Sequence, residues 1–206
     1  MKHWPLTRLQ AIGALVLLLV LVLPPVRHGL EAGMWRHMML QFPLCMAAGA
    51  LLASALPQTA RAVIARWNAH GAAGLFGSGL VLAILMVPRA LDLALVHPGV
   101  ELVKFAALLA TGAALRLSWR QSGLVLQFFF LGNVLAMMAV VGMLYIDSPL
   151  RLCNAYLLDD QARLGRWLVG VATALATAWL VHTGWLLGRD PPLAAPVGKT
   201  AAAEGR

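Results

Sequence analysis

An all-α, polytopic integral membrane bundle of about six transmembrane helices is what this sequence predicts, on three observations. Of its 206 residues, 61% are hydrophobic and 12% charged, against roughly 45–50% and about 25% in an ordinary soluble domain. The apolar residues gather into runs close to the roughly 20 residues that a bilayer-crossing helix needs. The connections between runs are short and hold most of the charge. This composition excludes a water-soluble globular domain and a disordered chain. A net charge of +8 on so apolar a chain orients a membrane protein rather than contacting phosphates, so the expected partner is the lipid bilayer and not nucleic acid.

The first run, Leu9 to Val26, follows Lys2 and Arg8 and ends in Pro24-Pro25-Val26-Arg27. It lacks a small-residue cleavage site and is longer than the apolar part of a usual signal peptide, so it reads as an uncleaved helix. The second run covers about Met34 to Leu56, and the third about Gly71 to Val87, closed by Pro88. Val100 to Leu117, Leu124 to Ile146 and Trp167 to Gly188 complete the six. Residues 1–188 thus form a single transmembrane domain, and the Pro-, Ala- and Gly-rich segment 189–206 reads as a disordered cytoplasmic tail. Pro43 and Pro88 are expected to kink their helices. Gly77 with Gly79 and Gly132 with Gly142 suit close helix packing in lipid, and Asn133 suits an interhelical hydrogen bond.

Six spans put both termini on one side. With that side cytoplasmic, the basic residues divide nine to seven in its favour, a small positive-inside excess. Glu31, Asp92, Glu101, Asp147, Asp159 and Asp160 all fall on the other side. Both termini are therefore expected on the cytoplasmic side.

Polar chemistry collects on the outer side. His37, Gln41 and Cys45 are spaced i, i+4, i+8 and share one helix face, with Met34 and Met38 beside it. Imidazole, thioether and thiol are the soft set that selects Cu(I), and neutral ligands cost less in a membrane than carboxylates. One helix supplies too few ligands, so His97 and Cys153 complete the candidate copper site His37, Met38, Met34, His97 and Cys153. A polar interhelical contact and an interfacial position are the competing uses of His37. Cys45 could pair with Cys153 only if the loop carrying Cys153 dips inward. That loop, Tyr145 to Gln161, has an Asp-Ser-Pro turn at Asp147 to Pro149 and then an amphipathic stretch. The stretch reads as a short surface helix, whose Asp159 and Asp160 could hold a cation or dock a partner. Glu101 and Lys104, at i, i+3, most simply pair with each other. A deeper Lys104 would need Glu101 or Asp147.

The segment His37-Met38-Met39-Leu40-Gln41 resembles the His-Met-x-x-His/Gln helix of CtaG-like membrane proteins, with Gln41 where a second histidine is usual. The resemblance covers one helix. It implies a protein that assists assembly or copper metallation of a respiratory haem–copper oxidase, with oxidase subunits as partners and copper as the metal. No His-Glu-x-x-His, Gly-x-Ser-x-Gly or Walker A pattern occurs, and the chain is not expected to be an enzyme. The alternatives are a non-catalytic accessory subunit of a membrane complex, and a redox or quinone-linked protein holding haem b through His37, His97 or His182.

Overall fold

The computed structural model describes residues 4–188, so the expected tail at 189–206 lies outside the described residues. Nine helices, with no strand among the described residues, make up the molecule. They are α1 (Trp4–Val22), α2 (Pro24–Glu31), α3 (Met34–Ala55), α4 (Gln58–Trp67), α5 (Ala72–Leu85), α6 (Pro88–Val96), α7 (Pro98–Ser118), α8 (Leu124–Asp147) and α9 (Leu158–Leu187). By length and composition α3, α8 and α9 are each able to cross a membrane, and the bent pairs α1–α2 and α4–α5 raise the number to five if each is one span. The long helices pack in the order α1, α3, α7, α5, α8, α9, and the start of α9 returns against the start of α3.

Proline sets most of the breaks. Pro24 and Pro88 begin α2 and α6, where the missing N–H would be unsatisfied in any case. The Pro24 break turns α2 by 70° from the preceding helix, so the first apolar run is two elements rather than one. Pro43 acts differently from the expected kink. Its ring removes the bond that would reach the carbonyl of Met39, and the turn before it, His37–Gln41, widens to π-helical geometry while α3 continues. The last helix begins at Leu158, nine residues before Trp167. Its added turns bury Gln161 and Leu164 while exposing Asp159, Arg163 and Arg166.

Two reciprocal glycine contacts bring the long helices together. A Cβ on Gly112 of α7 would lie 1.8 Å from the Met46 carbonyl oxygen, and one on Gly49 of α3 would lie 2.0 Å from that of Leu109. Gly142 and Gly165 face each other in the same way between α8 and α9. Of the glycines expected to pack, Gly142 does, Gly79 has only Phe130 at 3.9 Å, and Gly77 and Gly132 meet nothing within 4 Å. At the turn into α5, Gly71 takes φ +75° against the Ser118 carbonyl, a conformation open to glycine. Asn68 holds that turn by donating to Ser118 Oγ at 2.8 Å and accepting from Gly74 N–H at 2.9 Å.

Gly112→Ala is expected to force α3 from α7 and to cost about 1–3 kcal/mol as an overpacked contact, whereas Gly132→Ala should stay within about 0.5 kcal/mol of the parent. Thermal unfolding of both variants in one detergent compares them.

Candidate functional site

The described acids all lie at one end of the bundle, and there the apolar interior holds a charged centre. Lys104, on the second turn of α7, is 2% exposed, and His37 and Gln41 on the π turn of α3 are fully buried. The Lys104 ammonium lies 2.9 Å from His37 Nε2, 3.1 Å from Gln41 Oε1 and 3.2 Å from Glu31 Oε1. An ammonium has three protons, and each has one acceptor here. Gln41 turns its amide nitrogen to the same carboxylate at 3.3 Å.

The proton on His37 follows from its other neighbour. Tyr156 O–H donates to the Glu31 carbonyl at 2.9 Å, which uses the only proton of the phenol. Burial holds that phenol above its ordinary range, so it keeps the proton. The 2.8 Å contact between His37 Nδ1 and Tyr156 Oη therefore has Nδ1–H as donor. His37 Nε2 is left as the acceptor for Lys104, so both ring nitrogens are engaged. Outward from the centre the charges alternate. Arg27 Nε lies 3.7 Å from Glu31 Oε2, and Arg27 Nη1 lies 3.1 Å from Glu101 Oε1. The expected Glu101–Lys104 pair is thus replaced by Lys104–Glu31 and Arg27–Glu101. The reason is the break at Pro24, which folds α2 back over α3 and α7.

Segment 148–157 supplies Tyr156 and is not the expected surface helix. It is a chain of turns that dips into the bundle, burying Cys153 and Tyr156. Asp92 on α6 holds it down, accepting from Cys153 Sγ at 2.7 Å, Asn154 N–H at 2.9 Å and Ala155 N–H at 3.1 Å. Burial pulls the Asp92 carboxyl upward. Those three bonds and the Arg89 charge outweigh it and leave the group below its ordinary range. Burial, with the hydrogen bond to Asp92, pushes the Cys153 thiol up to about 12. Although the loop dips inward, Cys45 and Cys153 are both free thiols. Asp160 Oδ2 accepts the Met34 N–H at 2.6 Å, which caps the start of α3.

The candidate copper set is therefore divided. His37, Met34 and Met38 are buried together on α3, Cys153 belongs to the Asp92 knot, and His97 is exposed at the corner between α6 and α7. Among the described residues no three His, Cys, Asp or Glu side chains are placed to hold a metal ion together. As arranged, His37 does not fit a copper ion, because it has no free lone pair. For haem the histidines are also dispersed, with His182 exposed near the far end of α9. Asn133 is exposed on α8 and lines a groove against α5, with no hydrogen-bond partner among the described residues. The participants that sequence reasoning missed are Glu31, Arg27 and Tyr156. The proline pair that opens α2 and the tyrosine at position 156 in the last loop were the available signals. No family model, curated protein or solved structure matches the chain.

Lys104→Met leaves the Glu31 carboxylate buried with a lost counter-charge and is expected to cost about 3–5 kcal/mol. Lys104→Met combined with Glu31→Gln should recover most of that loss, as read from the thermal midpoints of the two variants. Because Cys153 is a protonated thiol at neutral pH, its maleimide labelling should be slow and rise about tenfold per pH unit across the alkaline range. Asp92→Asn should accelerate it by loosening the loop. Labelling rates on Cys45→Ala protein measure both effects.

Proposed function

We propose that this chain is a non-catalytic inner-membrane protein that assists assembly of a respiratory haem–copper oxidase, docking a partner subunit at its acidic end. One observation carries the docking part of the reading. The charged centre is saturated internally, while a groove of about 520 Å³ stays open beside it, between the α2–α3 turn and the start of α9. Trp35 and Leu157 give this groove an apolar floor and edge, and Arg36, Asp159 and Arg163 give it charge of both signs. An apolar anchor ringed by mixed charge is what a partner polypeptide recognises. The oxidase as partner rests on the resemblance of the His37–Gln41 segment. The nine-to-seven division of basic residues in the sequence, with six of the eight acids on the other side, supports an arrangement with the acidic end outside and both termini cytoplasmic.

Copper metallation of that oxidase is the second reading, favoured by the burial of Met34, Met38 and Cys45 on the helix that carries His37. It requires Lys104 to leave Nε2 first.

A photo-cross-linking benzoylphenylalanine in place of Leu157 is expected to trap an oxidase subunit in cells, and the same probe in place of the exposed Phe76 is expected to trap none. Identical products from both positions, or none from position 157, set the docking reading aside. For the second reading, Lys104→Met should raise Cu(I) uptake above that of the parent and of His37→Ala. Equal uptake by all three removes it.

A further inference from the structure

A different feature runs from beside the charged centre to the opposite end of the bundle. Between α3, α5, α7, α8 and α9 lies an apolar cavity of about 670 Å³. Its walls include Met38, Met46, Ala50, Val134, Met138 and Val171, and one end is formed by Arg116, Trp119 and Arg120. From Met38 to Ala50 the helix rises roughly 18 Å at 1.5 Å per residue. That is somewhat more than half of a hydrocarbon core about 30 Å thick, the reach of one lipid tail. A second, smaller cavity of about 190 Å³ shares Arg116 and Arg120 as walls and adds Ser54, Arg61 and Gln121. The apolar space and the polar pocket thus meet at two arginines.

The pocket is fixed in place by its own bonds. Arg116 Nε donates to Ser54 Oγ at 3.1 Å, and Arg61 donates to the Ser54 carbonyl. Each therefore spends part of its guanidinium on the end of α3 and keeps further N–H donors. Arg120 is exposed and makes no hydrogen bond among the described residues. Every described acid lies at the other end, so nothing within the described chain neutralises these three cations. A zwitterionic head group would bring an ammonium among three guanidinia, whereas a head group of net negative charge meets only attraction, with fork geometry suited to phosphate oxygens. Basic residues at a membrane surface attract anionic lipid in general. What distinguishes this site is the tail-length cavity that opens onto the same side chains.

We propose that the two cavities form one binding site for an anionic phospholipid, with an acyl chain between the helices and the phosphate on Arg61, Arg116 and Arg120. The occupied cavity would complete the packing of α3 against α8 and α9 on its arginine side, where the helices otherwise line an open space.

The test uses the full chain reconstituted in phosphatidylcholine vesicles with a small fraction of acyl-brominated phosphatidylglycerol or acyl-brominated phosphatidylcholine. Bromine quenches tryptophan over short range, and the chain has seven tryptophans, so the Trp119 contribution is taken as the difference from Trp119→Phe. At equal lipid fraction the anionic lipid is expected to quench Trp119 several-fold more effectively. Arg120→Gln, which breaks no internal bond, should reduce that preference at least threefold, and Val171→Phe should lower quenching by both lipids through filling the cavity. Equal quenching by the two lipids overturns the proposal, as does an anionic preference unchanged in Arg120→Gln. Native mass spectrometry of the detergent-purified protein provides a readout independent of fluorescence. Retained adducts should have phosphatidylglycerol mass in the parent and be depleted in Arg120→Gln, and retention of phosphatidylcholine in equal measure counts against the site.

Discussion

An ammonium in an apolar interior is tolerable only when each of its protons meets an acceptor, and Lys104 imposes that condition on the acidic end of this bundle. Its acceptors come from two elements, α3 and the end of α2, and a third element holds His37 in the tautomer that can accept. The local features nearby serve this convergence. The π turn before Pro43 puts His37 and Gln41 inward together. The break at Pro24 returns Glu31 over the helix ends. The inward loop brings Tyr156 to His37 and to the Glu31 carbonyl. Since each of these groups satisfies another, loss of one would leave its neighbours unpaired in a low-dielectric setting.

The bundle is divided along its length. At the acidic end, polar groups are turned on one another, and even the carboxylates of Asp92 and Asp160 are spent on backbone N–H groups. In the middle, glycines remove the side chains that would separate α3 from α7 and α8 from α9. In lipid such close approach stands in for a hydrophobic driving force that the solvent does not supply. At the opposite end the guanidinia of Arg61, Arg116 and Arg120 have no acidic counterpart within the described chain. One end is closed by internal pairing and presents only its rim, while the other is left for charges from outside.

Part of the site was legible in the sequence and part was not, for separate reasons. The spacing of His37, Gln41 and Cys45 puts them on one helix face, because a helix imposes its own periodicity on neighbours four apart, and packing buries that face. Chain order also put the acids on one side, since alternating spans sort every loop between them. A deep Lys104 needs an acid, but nothing local selects Glu31, because that residue is 73 positions away and arrives through a bend whose angle local sequence does not state. Tyr156 is 119 positions from His37 and sits in a stretch whose amphipathic pattern favoured a surface helix. Three bonds to Asp92 overrode that pattern. Likewise Gly77 and Gly132 are as small as Gly112 and Gly142, and only the relative rotation of the packed helices decides which of them touch.

What the sequence by itself determined is the class, an all-helical membrane chain, together with the order of its apolar runs and the polar residues that share a turn. Those properties are set by transfer free energy and by helical period, which act over a single helix. The partners in the charged centre, the free state of both cysteines, the internal use of His37 and the cavity beside the arginines were decided by tertiary structure. They depend on distances between segments far apart in the chain, and these become fixed only when the helices pack.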